Sequence, residues 1–275
     1  MNRLFRKNSK TTSERLSKVH LFALNLSLLA YLLFYCSHLH AEVIKLQQDT
    51  SLGTGFLISD DGYLVTAWHV VKDKPQVYVG PIVGNKWKKA KIIKLDEKSD
   101  LALLKIGPTG RQALEIAEWI DVPIGLEVYS IGYPIPKFLG LSRKMTQGIV
   151  NGDRTESGDV GFFQFSAETQ KGNSGGPVFS PDGLVIGVVQ KKLDALKVAE
   201  SAKDLPGNVN YALKSATLIK FIEGAGIPVS IKKINLGINM RPYELYRQKN
   251  EAVLAVIARG SAEKSLDLSR TEIVD

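Results

Sequence analysis

The sequence predicts an all-β fold of many short strands, a barrel or a sandwich, with one short helix near residue 220. Three observations predict it. Short apolar runs such as GFLIS, QVYVG and LALLKI recur at close spacing. Turn signals punctuate them: Asp60-Asp61-Gly62 is an Asp-Gly hairpin signal, and Pro181-Asp182-Gly183 is a second tight turn. Before residue 226, helical periodicity is confined to Ser215–Glu223, where Leu218, Ile219 and Ile222 share a face and Gly224 can stop the helix.

Residues 1–41 read as an export leader. A basic stretch, 1–20, precedes the apolar LFALNLSLLAYLLFY, 21–35, and then CSHLHA. The apolar core is short for a membrane span of about 20 residues, which favours a signal peptide cleaved after Ala41. Leu39 departs from the small-residue rule at such sites, and the long basic segment also suits an uncleaved N-terminal membrane anchor, so both readings stay open. Either one puts the protein in the periplasm or outside the cell. Cys36 is the one cysteine of the sequence, and it lies in this leader. Bulky Phe34 and Tyr35 argue against lipidation there. With the leader removed, no disulfide can form, and stability must come from packing.

The formal charge of +8 hints at nucleic acid, but its placement removes the hint. The leader holds six basic groups and one acid, +5 net, which leaves 8 − 5 = +3 for residues 42–275. So small a charge gives no footprint for an anionic partner.

From residue 42 to 225 the strands follow in order as GFLIS, GYLVTA, QVYVG, AKIIKL, LALLKI, EVYSIGY, GIVNG, FFQFSA, GPVFS and LVIGVVQ, then the helix. Residues 226–275 differ. They offer a helix around Tyr243–Asn250 and one apolar strand, VLAVIA, 253–258. Alone, that segment is too small to build a core.

The chemistry centres on Gly172-Asn173-Ser174-Gly175-Gly176-Pro177. A serine becomes a useful nucleophile only when a base takes its proton. Flanking glycines let backbone N–H groups turn inward, so those of Gly172 and Ser174 would form an oxyanion hole. The segment also fits the G-x-S-x-G elbow of α/β-hydrolases, but these place their histidine after the serine. The four histidines here are His20, His38, His40 and His69, and none follows Ser174. His20, His38 and His40 lie in the leader, so if the mature protein uses a histidine base it is His69, ahead of the nucleophile in the chain. Asp73, Asp96, Asp100, Asp121 and Asp153 could orient its imidazole. Asp100 is preferred, because it opens a strand with no other acid. Asp96, in the polar turn DEKSD, is the second choice.

These residues carry a resemblance. The run GTGFLISDDGYLVTAWHVV, then SDLALLKI, VYSIGYP, TQGIV and KGNSGGPVF, resembles the HtrA/Deg family of trypsin-like serine peptidases over about residues 51–225. The resemblance implies two six-stranded antiparallel β-barrels of the chymotrypsin type. His69 and Asp100 would come from the first barrel and Ser174 from the second. It implies endoproteolysis of unfolded or damaged proteins or peptides, with no cofactor and no metal, and leaves a homo-oligomer open. INLGINMRPY and VLAVIARGSAEKSLDL resemble the first half of a PDZ module, so residues 226–275 are expected to be a partial PDZ-like tail. Gln170-Lys171 stands where the family usually has Asn-Pro. Glu168, six residues before the nucleophile, falls near the expected base of the specificity pocket, where it could receive a basic substrate side chain or instead pair with Lys171 or Lys191. The alternative to an enzyme is a catalytically silent homologue that binds proteins as a chaperone does.

Overall fold

A computed structural model describes residues 50–81, 86–134, 142–155, 158–192, 209–260 and 273–274. The leader, 1–41, lies outside them. Among the described residues no helix is long and apolar enough to cross a membrane.

The first barrel is built from β1 (Thr50–Leu57), β2 (Tyr63–Ala67), β3 (Gln76–Gly80), β4 (Trp87–Asp96) and β5 (Leu101–Lys105). The second uses β7 (Glu127–Gly132), β8 (Lys144–Gly152), β9 (Phe162–Phe165), β10 (Pro177–Phe179), β11 (Val185–Lys192) and β12 (Asn210–Lys214), with β6 (Ile116–Ala117) and β13 (Ile231–Lys232) appended. Its ring runs β10-β7-β8-β9-β12-β11 and closes through β10–β11. The two turn signals do what their chemistry dictates. Gly55, Phe56 and Leu57 pair with Thr66, Val65 and Leu64 across the first. Across the second, Gly183 N–H bonds Ser180 O at 2.9 Å.

Three helices accompany the barrels. α1 (Trp68–Val71) is a single turn that buries Val70 and Val71 and leaves His69 exposed. The expected helix forms as α2 (Ser215–Glu223), with Leu218, Ile219, Phe221 and Ile222 buried. Lys94 of β4 donates to Phe221 O at 2.8 Å and lies over its ring. α3 (Pro242–Lys249) starts with Pro at its first turn and is followed by a 3₁₀ turn, Asn250–Ala252.

The C-terminal segment corrects the expected domain plan. Val253–Arg259 is β14, and it lies between β1 and β3 as the sixth strand of the first barrel. Its register with β1 runs from Thr50↔Arg259 to Phe56↔Val253, and with β3 from Ala255↔Gly80 to Arg259↔Gln76. The ring β4-β3-β14-β1-β2-β5 then closes through β4–β5. Among the described residues there is thus no separate tail after residue 225, and Thr50–Asp275 forms one compact unit. The segment does not build a core of its own; an open barrel of five strands leaves two unpaired edges, and its apolar strand fills them.

Two arginines fix the entry to β14. Arg143 donates to Asn250 O at 2.6 Å and to Glu251 Oε1 at 2.7 Å. Arg111 donates to Glu251 O at 2.8 Å, and its other nitrogen lies 3.1 Å from Oε2. Burial alone would push the Glu251 carboxyl up, but the Arg143 hydrogen bond and the two positive charges outweigh it and hold it below the usual glutamate range.

Val253, Leu254 and Val256 of β14 are fully buried, which is worth roughly 5–9 kcal/mol. A domain has about 5–15 kcal/mol in total. Ending the chain after Lys249 is therefore expected to abolish cooperative unfolding, read by circular dichroism. The Glu251 clamp acts in acid. A lowered carboxyl stabilises the fold above its unfolded value, and that contribution is lost as pH falls through the folded value. Glu251→Gln should flatten the fall in melting temperature below about pH 4.3. The effect should be small and weaken with salt, because the side chain is 58% exposed.

Candidate active site

His69 and Asp100 meet at the end of the β4–β5 turn. The strand β2 ends at Ala67, and the α1 turn that follows presents His69 to solvent. Asp100 sits just before β5 with φ of 50°, a left-handed backbone that aspartate tolerates better than most residues. That conformation turns both its carbonyl and its carboxylate toward α1. Asp100 O accepts Trp68 N–H at 3.0 Å, Oδ1 accepts His69 N–H at 2.9 Å, and Oδ2 lies 2.7 Å from His69 Nδ1. An ionised carboxylate can only accept, so Nδ1 carries the proton and Nε2 is left basic.

Ser174 lies on the loop between β9 and β10. Within that loop the N–H of Asn173 bonds Gln170 O at 2.9 Å, that of Gly175 bonds Val189 O at 2.7 Å, and that of Gly176 bonds Asn173 O at 2.9 Å. Among the described residues, the N–H groups of Gly172 and Ser174 have no such acceptor. They are the two donors expected to form an oxyanion hole. Gly172 has φ of 107° and Gly175 φ of 85°. A Cβ on Gly175 would stand 2.4 Å from Thr54 O and 2.5 Å from Ala67 N, so only glycine fits.

The two halves of the site converge. A Cβ on Gly53 would meet both Val70, next to His69, at 2.6 Å and Ser174 O at 3.0 Å. Gln190, at the end of the apolar run of β11, is 3% exposed. Its Nε2 donates to Ser99 O at 2.7 Å and Asp100 O at 3.0 Å, while its carbonyl accepts Ser174 Oγ at 3.4 Å. It thus touches the backbone of the acid and the side chain of the serine. No hydrogen bond joins Ser174 to His69 among the described residues; such bonds are often long before substrate arrives. Sequence reasoning missed Gln190 and Thr54. A glutamine closing LVIGVVQ and a threonine inside GTGF were the available signals, both polar among apolar residues.

The remaining candidates lie elsewhere. Asp96 accepts Ser99 N–H at 3.2 Å and serves the turn, and Asp153 is exposed and paired with Arg154. Glu168 is exposed and accepts from Gln170 Nε2 at 3.1 Å, in place of Lys171. The cost of burying its carboxylate, on which the pocket reading rested, does not arise.

Residues 53–188 match the family described as the trypsin-like peptidase domain, and the two barrels place that part of the chain among trypsin-like serine peptidase domains. More narrowly, the chain is a homologue of the HtrA/DegP serine endoproteases. It is 38% identical over 231 residues to a probable periplasmic DegP-like serine endoprotease of Chlamydia muridarum, covering 80% of this chain and 44% of that one. With the counterpart of Halomonas elongata it shares 37% over 145 residues, 52% of this chain and 30% of the other. The crystal structure of the Yersinia pestis serine endoprotease superposes with a TM-score of 0.53 at 28% identity, covering 64% of this chain and 57% of that chain. The chain therefore spans less than half the length of these two curated relatives.

Gly175→Ala should destabilise the protein by roughly 3 kcal/mol or more, since the new Cβ meets backbone and the φ is unfavourable. Urea denaturation measures this. A midpoint equal to wild type would mean that the loop can relax away from Thr54.

Proposed function

We propose that this chain is an exported serine endopeptidase that cuts unfolded or damaged proteins, with Ser174, His69 and Asp100 as its triad. The observation that supports this most is the two-point hold of Asp100 on His69, on the ring at 2.7 Å and on the backbone N–H at 2.9 Å. That hold selects the tautomer a general base needs. His69 Nε2 takes the Ser174 proton as Oγ attacks the scissile carbonyl. The carbonyl oxygen becomes an oxyanion and accepts from the N–H groups of Gly172 and Ser174, each worth about 2.7–4 kcal/mol in the transition state. The tetrahedral intermediate collapses, the C–N bond breaks, and His69 returns its proton to the leaving amine. Water repeats the cycle on the acyl-enzyme and releases the new carboxylate.

Export to the periplasm rests on the leader and on the printed names of the relatives. Anchoring by an uncleaved leader and self-association are further readings of the same kind. The second functional reading is a silent, protein-binding homologue. The contact of Ser174 Oγ with Gln190 O at 3.4 Å is the observation in its favour.

Digestion of an unfolded protein, together with fluorophosphonate labelling, tests the proposal. Wild type should cleave and label, and Ser174→Ala should do neither, losing on the order of 10⁶ in rate. Binding of unfolded protein without cleavage or labelling would establish the silent reading instead. Asp100→Asn should cost about 10⁴ in kcat through the wrong tautomer, while Asp96→Asn should stay within about tenfold. The reverse ranking would transfer the acid's role to Asp96.

A further inference from the structure

We propose that Thr54 is a positioning residue for the oxyanion loop, a role that rests on the endopeptidase reading above. Thr54 is a fully buried residue of β1. Its hydroxyl donates to Gly172 O at 2.7 Å and accepts Tyr133 N–H at 3.0 Å. Its own N–H donates to Ser174 O at 2.9 Å, and its carbonyl accepts Thr66 Oγ1 at 2.7 Å. One residue therefore holds the carbonyls of both residues whose N–H groups have no acceptor among the described residues.

The choice of those carbonyls matters. The direction of a carbonyl fixes ψ of its own residue, and so the plane of the peptide that follows. Gly172 itself, at φ of 107° and without a Cβ, restrains that rotation little; besides Thr54, the peptide after it is held by the Asn173 N–H bond to Gln170 O. The peptide that carries the Ser174 N–H lies between the two peptides whose carbonyls Thr54 holds, so Thr54 fixes the backbone on both sides of that donor, and the plane next to the one that carries the Gly172 N–H.

Thr54 is in turn held from three sides. It lies opposite Ala255 of β14, and the next residue, Gly55, pairs with Thr66 of β2. On the third side Tyr133, 1% exposed, aims its N–H at the Thr54 hydroxyl, and its own hydroxyl accepts Arg143 Nε at 2.9 Å. Arg143 is the residue that grips Asn250 and Glu251. A continuous set of hydrogen bonds thus leads from the entry of β14 to the oxyanion loop, and Thr54 is its last link.

The test compares Thr54→Val, which keeps shape and loses the hydroxyl, with Thr54→Ser, which keeps the hydroxyl. Each is assayed on a chromogenic peptide and titrated with a peptide boronic acid, which mimics the tetrahedral intermediate, and with a product-like peptide. Circular dichroism melts establish which variants are folded. Thr54→Val should lose about 10²-fold in kcat, as expected for misplaced catalytic donors, with KM within about twofold. Its affinity for the boronic acid should fall by a similar factor, and that for the product peptide should not. Thr54→Ser should recover at least about tenfold of the loss. If Thr54→Val does not fold, Thr54→Ala and Thr54→Ser, which differ only in the hydroxyl, carry the same comparison. A folded variant lacking the hydroxyl with kcat within threefold of wild type overturns the proposal, as does a loss confined to KM or an equal loss in Thr54→Ser. An active wild type keeps the endopeptidase reading in either case. A wild type that neither cleaves nor labels overturns both.

Discussion

The pairing of β14 with β1 is the constraint on which the rest depends. β1 carries Thr54 and Gly53, which meet the serine loop, and Gly55, which pairs with the strand leading to His69. A strand can aim side chains only if both its edges are held. β2 holds one edge over three residue pairs, and β14 holds the other over seven. With β14 in place, β1 is an interior strand with buried hydrogen bonds on both sides. Without it, the wall of the active site would be a sheet edge facing water.

The site itself is assembled from polar groups that restrain one another's backbones. Asp100 holds Trp68 and His69 through their N–H groups, Gln190 holds the Asp100 carbonyl, and Thr54 holds those of Gly172 and Ser174. The backbone carbonyls of Asp100, Gly172 and Ser174 thus all have donors, while Asn173 Oδ1 in the same loop is buried without a partner. Among the described residues the N–H groups of Gly172 and Ser174 also lack an acceptor. A developing negative charge would use that unmet capacity.

Much of this was legible in the sequence. The strands β1 to β5 and β7 to β11 follow local apolar runs, and α2 occupies Ser215–Glu223 as its periodicity and Gly224 required. DLALLKI, with no other acid in the strand, favours Asp100 over Asp96, and it is the Asp100 carboxylate that lies beside His69. What was not legible is non-local. β12, NYALK, is buried at every position but is too short and mixed to stand out beside the helix that follows it. The α1 turn has four residues and no pattern of its own; it is held by Asp100 and by burial of Val70 and Val71. VLAVIA was read correctly as a strand, but no local signal says that its partners lie at residues 50–57 and 76–80.

The place of β14 in the chain orders events during synthesis. Phe56 pairs with Val253, a separation of roughly two hundred residues, so β1 leaves the ribosome long before its neighbour exists. Contacts of such long range form late and slowly. The first barrel cannot close until residues 253–259 have emerged, and the wall that braces the serine loop is completed only then. A chain that is cut short or stalled upstream of residue 253 therefore lacks a finished catalytic frame. The topology ties the finished frame around Ser174 to the synthesis of residues 253–259.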